Sequence, residues 1–157
     1  MNQSAIYKRE KERSKLQAQL AHSYSEESKY MGSALDDSQL SELNKTVLKY
    51  LRNKKPYLNP EYSLQMMADD LDISRHKLSQ VINRSQNKNF YKFINELRIE
   101  EVKNKLVDQA FEHYSVLGIA LECGFNSKTS FNRIFKDETG FTPTEYKKKI
   151  LKQKGSN

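Results

Sequence analysis

The chain has 157 residues, a formal charge of +7 from 27 Lys/Arg against 20 Asp/Glu, and a single cysteine. That length holds about one domain, or two very small ones. One cysteine excludes an internal disulfide and fits a reducing compartment. The 5 Gly and 3 Pro argue against a loop-rich β protein, and no apolar run is long enough to span a membrane.

The charge is unevenly spread. Residues 1–38 carry six basic and six acidic side chains, so the whole excess lies after residue 38. The first segment holds few apolar residues (Ile6, Leu16, Leu20) and reads as a polar linker or juxtamembrane stretch, helical or disordered. It opens with no apolar h-region, so a secretory leader is not expected. Met31-Gly32-Ser33 and Asp36-Asp37-Ser38 read as a break before the folded part.

A helix is predicted from near Ser38, with Leu40, Leu43, Val47, Leu48 and Leu51 on one face. Pro56 ends it, and Pro60 predicts that Tyr57-Leu58-Asn59 are extended. Ser63 caps a short helix carrying Leu64, Met67, Ala68 and Leu71. Asp72-Ile73-Ser74 is a tight turn, and Ser74 caps a helix that buries Leu78, Val81 and Ile82. Polar residues 85–89 precede a longer helix from Phe90 to Val107, with Phe93, Ile94, Leu97, Val102 and Leu106 inward. Ser115 then opens a short helix with Ile119, Ala120 and Cys123 inward, and Gly124-Phe125-Asn126-Ser127 turns the chain. A helix from Lys128 buries Phe131, Ile134 and Phe135, and Gly140 ends it with a left-handed cap. Pro143 starts a last helix rich in Lys at 147–149, 152 and 154.

Two segments repeat. Ala68 to Ile73 and Ala120 to Phe125 are both five residues apart, and Leu78, Val81 and Ile82 answer Phe131, Ile134 and Phe135, with one extra residue in the second turn. Each copy reads as a helix-turn-helix: a small residue lets two helices cross, and an apolar residue in the turn plugs the core. The division is 1–38 as linker, 39–88 as a helix plus the first helix-turn-helix, 89–108 as a linking helix, 109–152 as the second and 153–157 as tail.

Helical geometry turns Arg75, His76, Ser79, Gln80 and Asn83 outward in the first copy, and Lys128, Thr129, Asn132, Arg133 and Lys136 in the second, with Ser130 at the edge. No acidic residue interrupts either face before Asp137. Arg and Lys donate to guanine, Asn and Gln pair with adenine, and Ser or Thr does either, so such faces suit base reading. Gln80 and Arg133 occupy matching positions and are the strongest candidates for base contact. Lys77, Arg84, Lys88, Lys103 and Lys136 suit phosphate or solvent, and the helix N-termini at Ser63 and Ser115 offer N–H groups to phosphate.

The run Ile119-Ala120, Gly124-Phe125, Ser127, Phe131, Arg133, Phe135-Lys136, Gly140, Thr142-Pro143 and Tyr146 resembles the signature of AraC/XylS-type bacterial transcription regulators. Leu64, Met67-Ala68, Leu71, Ile73-Ser74, Leu78-Ser79, Arg98, Val102 and Leu106 fit it as well, so the likeness covers about residues 60–150. Val102 departs where Ala is common, and Lys147 where Arg is usual. The resemblance implies an all-α fold of two homeodomain-like, three-helix units joined by a long helix. It implies recognition helices from Ser74 and Lys128 entering successive major grooves, about 34 Å apart. A linking helix of about 17 residues spans about 25 Å, the right scale. It also implies base approach by His76, Ser79, Gln80, Lys128, Thr129, Ser130, Asn132 and Arg133.

The expected function is sequence-specific binding of double-stranded DNA to regulate transcription, as an activator touching RNA polymerase, in the cytoplasm. A helical protein-interaction bundle, or an architectural or DNA-rearranging protein, is the alternative. Family members usually carry a sensor domain, and residues 1–38 are too short and polar to enclose a ligand. The chain is therefore a stand-alone regulator or the C-terminal part of a longer one. Residues 7–13 resemble the cytoplasmic flank of a membrane span or the end of a coiled linker, and 54–58 resemble the equivalent stretch of membrane-anchored regulators, which favours the second. No enzyme, metal or cofactor motif is found: His22, His76 and His113 lack metal-ligand spacing, and Cys123 reads as a buried structural thiol rather than a nucleophile. Phe90, Tyr91 and Phe93 read as a core cluster rather than a stacking platform.

Overall fold

The structure, a computed structural model, describes residues 35–154. The readings of Ile6, residues 7–13, Leu16, Leu20, His22 and Met31–Ser33, and of the last three residues, lie outside the described residues. Seven α-helices follow one another, with no strand among the described residues: α1 (Asp37–Lys54), α2 (Leu64–Leu71), α3 (Arg75–Gln86), α4 (Phe90–Val107), α5 (Val116–Glu122), α6 (Lys128–Thr139) and α7 (Pro143–Lys154). Short 3-10 turns stand at Pro56–Leu58 and Gln109–Phe111. The chain divides into two units, and the second begins at Leu40.

The chain enters α1 at Asp36-Asp37-Ser38. The Asp36 carboxylate accepts the Gln39 N–H at 2.8 Å, and Asp37 sits in the first turn of α1, where a negative charge suits the helix N-terminus. Serine caps do the same work further on. Ser63, Ser74, Ser115 and Ser127 each accept the N–H three residues ahead, at 3.2, 3.3, 2.9 and 3.3 Å. Thr142 and Glu145 form a capping box for α7: the Thr142 N–H donates to the Glu145 carboxylate at 2.8 Å, and the Glu145 N–H donates to the Thr142 hydroxyl at 3.3 Å. The bonds from Thr142 hold the Glu145 carboxyl below its ordinary range.

Tyr57 and Leu58 are not extended as expected. Lys55 turns left-handed at φ 46° and Pro56 begins a 3-10 turn, which its fixed φ favours. The constraint of Pro60 reaches back only to Asn59, which is extended at ψ 121°. Burial holds the turn in place: Tyr57 is 4% exposed. Its hydroxyl donates to Glu101 at 3.0 Å, and Lys55 pairs with the same carboxylate at 2.6 Å.

The linking helix α4 packs against α3, α5, α6, α7 and both 3-10 turns. Its buried residues do not form the single stripe expected from the sequence. Phe90, Phe93 and Ile94 are buried near its start, and Ile99, Val102 and Leu106 near its end. At about 100° per residue, the second set lies roughly 160° around the helix from the first. Leu97, expected inward, continues the first stripe and is only half-buried, while Ile99 on the opposite side is 2% exposed. Tyr91 stands about two turns before the second stripe begins and is 72% exposed, so it does not join Phe90 and Phe93 in the core. One helix thus carries two cores on opposite sides.

The second core gathers Ile99, Val102, Leu106, Ile119, Ala120, Cys123, Phe125, Phe131 and Phe135, with Ile134 and Tyr146 partly buried against it. The rings of Phe125, Phe131, Phe135 and Tyr146 follow one another at 5.1, 5.6 and 5.3 Å. Each fully buried Phe contributes up to about 3 kcal/mol.

Gly124 stands where the two halves close. Its φ is +91°, and a Cβ there would lie 2.5 Å from the Tyr57 carbonyl and 2.8 Å from Arg98 Nε. Gly140 also has positive φ, at +76°, but open space around it. Gly124→Ala should cost roughly 2–5 kcal/mol from strain and clash together, and Gly140→Ala about 1–2 kcal/mol from backbone strain alone. Urea unfolding of the two variants measures both; equal losses would contradict the packing at Gly124.

Candidate nucleic-acid interface

The repeat holds at the level of hydrogen bonds. The Ile73 N–H donates to the Ala68 carbonyl at 3.0 Å, and the Phe125 N–H to the Ala120 carbonyl at 3.1 Å. In each copy the preceding residue is left-handed: Asp72 at φ 52° and Gly124 at φ 91°. Ala68 and Ala120 are 3% and 0% exposed, the close crossing that a small side chain permits. The copies differ inside the turn. Phe125 is buried at 4%, whereas Ile73 is only half-buried and plugs the first core less fully than expected. Asn126 is the extra residue before the Ser127 cap.

These turns set the faces of α3 and α6. Leu78, Val81 and Ile82 are buried in the first, Phe131 and Phe135 in the second, and Ile134 is half-buried. Opposite them, Arg75, His76, Lys77, Asn83 and Arg84 are exposed on α3, while Ser79 and Gln80 are half-buried. On α6, Lys128, Thr129, Asn132, Arg133 and Lys136 are exposed, and Ser130 is half-buried. The structure therefore brings the sequence-derived candidates together as two helix faces, each bare of acid over its first two turns. The caps Ser63 and Ser115 spend their hydroxyls within their own helices.

Two candidates are drawn elsewhere. Lys88 pairs with Glu96 at 2.5 Å and Lys103 with Glu100 at 2.7 Å, both on α4. The bond that Lys103 donates to Glu100 raises the Lys103 pKa above its ordinary value. Two residues on which the faces depend went unassigned by periodicity. Arg98, 9% exposed, donates from Nε to the Tyr57 carbonyl at 2.7 Å and from a terminal nitrogen to the Asn59 carbonyl at 2.9 Å. Asp137 lies 3.7 Å from the Arg133 guanidinium. The four-residue spacing of that pair on one helix was the available signal.

Among the described residues no three His, Cys, Asp or Glu side chains come together as a metal site, and no helix there is long and apolar enough to cross a membrane. Cys123 is fully buried, and burial pushes its thiol up to about 11.

Two helix-turn-helix units on one long helix, with paired polar and basic outer faces, define a DNA-binding domain, a non-enzymatic class. The helix-turn-helix domain family matches residues 67–149, more than half of the chain. The chain belongs to that family, in its AraC type. An uncharacterized HTH-type transcriptional regulator of Staphylococcus aureus strain COL is 32% identical over 91 residues, 58% of this chain and 12% of the relative. Another, of Pseudoalteromonas carrageenovora, is 31% identical over 99 residues, 63% of this chain and 55% of the relative. The chain thus spans about an eighth of the first relative and about half of the second.

Two solved structures share the fold. The C-terminal domain of AraT, a response regulator from Geobacillus stearothermophilus, matches at TM-score 0.60 and 22% identity, over 71% of this chain and 88% of that one. The DNA-binding domain of AdpA, a global transcriptional factor solved in complex with a target DNA, matches at TM-score 0.61 and 16% identity, over 73% and 97%.

The buried thiol gives a pH prediction. Its folded pKa of about 11 exceeds its ordinary value of 9, so the protonated form stabilises the fold. That contribution is complete below pH 9 and is lost between pH 9 and 11, at up to about 1.4 kcal/mol per pH unit. Cys123→Ala should flatten the alkaline limb of a stability-against-pH curve. A thiol reagent should label native Cys123 only as fast as the protein unfolds.

Proposed function

We propose that the chain binds specific sequences of double-stranded DNA, with α3 and α6 entering successive major grooves. The observation that carries this reading is the pair of matching outer faces, held by the same turn geometry on one helix. An 18-residue α4 is about 27 Å long, close to the roughly 34 Å of one DNA turn. Residues 39–88 and 109–152 would each serve one groove. Arg75, His76, Ser79, Gln80, Asn83, Lys128, Thr129, Ser130, Asn132 and Arg133 face bases. Lys77, Arg84 and Lys136 meet phosphates, together with free N–H groups at the α2 and α5 N-termini beside Ser63 and Ser115. Lys88 would first have to leave Glu96.

Activation through RNA polymerase, a cytoplasmic location and a sensor region elsewhere in a longer, membrane-anchored protein complete the proposal. The longer form rests on the likeness of residues 7–13 to the flank of a membrane span and of 54–58 to the equivalent stretch of membrane-anchored regulators, and the length of the matched relatives is compatible with it.

Enrichment of duplexes from a randomised pool tests specificity directly. On the enriched duplex, Gln80→Ala and Arg133→Ala should each weaken binding by about 1–3 kcal/mol and relax preference at one base pair. Lys136→Ala should weaken binding to every sequence alike and reduce the salt slope by about 0.9. No enrichment, with both alanine variants equal to wild type, would leave a protein-interaction bundle as the reading.

A further inference from the structure

The two outer faces are not electrostatic copies. The turn cap Ser74 corresponds to Ser127, so Gln80 corresponds to Arg133 and Arg84 to Asp137. In α3 a neutral reader is followed one turn later by a cation, and no acidic residue occurs anywhere in the helix. In α6 a cationic reader is followed one turn later by an anion, 3.7 Å from its guanidinium. Both partners are well exposed, at 69% and 65%, and both line a surface hollow of about 270 Å³ between α4 and α6, with Lys92, Asn95, Ile134 and Glu138.

From this asymmetry we infer that Asp137 is a positioning residue for Arg133. The inference rests on the DNA-binding reading above and deepens it. Two terms of opposite sign meet at Asp137. A carboxylate near the duplex repels phosphate, so it weakens binding to every sequence. The same carboxylate holds the long Arg133 side chain in one direction, so fewer rotamers are lost when the planar fork meets a guanine edge. In water such an exposed pair contributes little. Against DNA, water is displaced, the effective dielectric falls and the pair strengthens. General affinity is thus exchanged for discrimination.

α3 carries Arg75, Lys77 and Arg84 with no acidic residue of its own, whereas α6 sets Lys128, Arg133 and Lys136 against Asp137 and Glu138.

The test uses the full chain and the duplex enriched by the wild type, its single-base variants and a random duplex. Asp137→Asn should bind the random duplex more tightly than wild type does. Its discrimination should fall by roughly three- to tenfold, at the base pair that Arg133→Ala also relaxes. In the Arg133→Ala background, Asp137→Asn should leave discrimination unchanged, and Asp137→Glu should retain it. Glu138→Gln removes a charge from the same hollow and should leave discrimination as in wild type. Because Asp137 is exposed, equal thermal midpoints of the variants exclude misfolding. If the wild type discriminates and Asp137→Asn does so equally well, the positioning role is overturned. It is also overturned if discrimination falls equally without Arg133. If the wild type itself does not discriminate, the DNA-binding reading fails instead.

Discussion

The arrangement depends on a buried guanidinium. Arg98 sits near the middle of α4, 9% exposed, and donates to the carbonyls of Tyr57 and Asn59. Those carbonyls belong to the stretch that leads from α1 into the first helix-turn-helix. Gly124, from the turn of the second, approaches so closely that a Cβ would lie 2.8 Å from Arg98 Nε. Three segments distant in sequence therefore meet at one side chain. Burial lowers the Arg98 pKa, yet arginine keeps its charge because its ordinary value is so high. The charge is balanced by carbonyl dipoles, and removing them would leave a buried cation unsatisfied, a cost of several kcal/mol.

This junction explains how α4 serves two masters. A helix that buries opposite sides at its two ends has little overall amphipathicity, because the stripes cancel when summed. Each stripe alone fixes one helix-turn-helix. Arg98 lies between them, where the exposed flank of one core passes into the other. The orientation of α3 relative to α6 then follows from the register of one rigid helix rather than from a flexible connection. Binding by two connected modules gains from such rigidity, since the second contact loses little further freedom once the first is made.

Much of this was written locally. Serine caps, the φ-positive Gly140, the five-residue spacing from Ala68 to Ile73 and from Ala120 to Phe125, and the extent of α4 are all set by short-range chemistry, and each appears where the residues place it. The readings that failed depended on neighbours far away in the chain. Pro60 constrains only the residue before it, so Pro56–Leu58 was free to curl once Tyr57 found Glu101 and its carbonyl found Arg98. Leu97 and Ile99 were exchanged because periodicity assumes one buried face per helix. Asp137 passed as a mere end to the basic run until its carboxylate lay beside Arg133.

The sequence by itself determined the helices among the described residues, the caps at Ser63, Ser74 and Gly140, the repeated helix-turn-helix and the residues of the two polar faces. These follow from backbone conformational preference and from the spacing of apolar residues along a helix. Only the tertiary structure decided which sides of α4 are buried, what Arg98 holds and why position 124 accepts glycine alone. Those outcomes need contacts between residues far apart in the chain, such as Arg98 with Tyr57, 41 residues away. A one-dimensional pattern records which side chains are apolar or charged, but the partner that satisfies a buried charge is fixed only when the chain has closed.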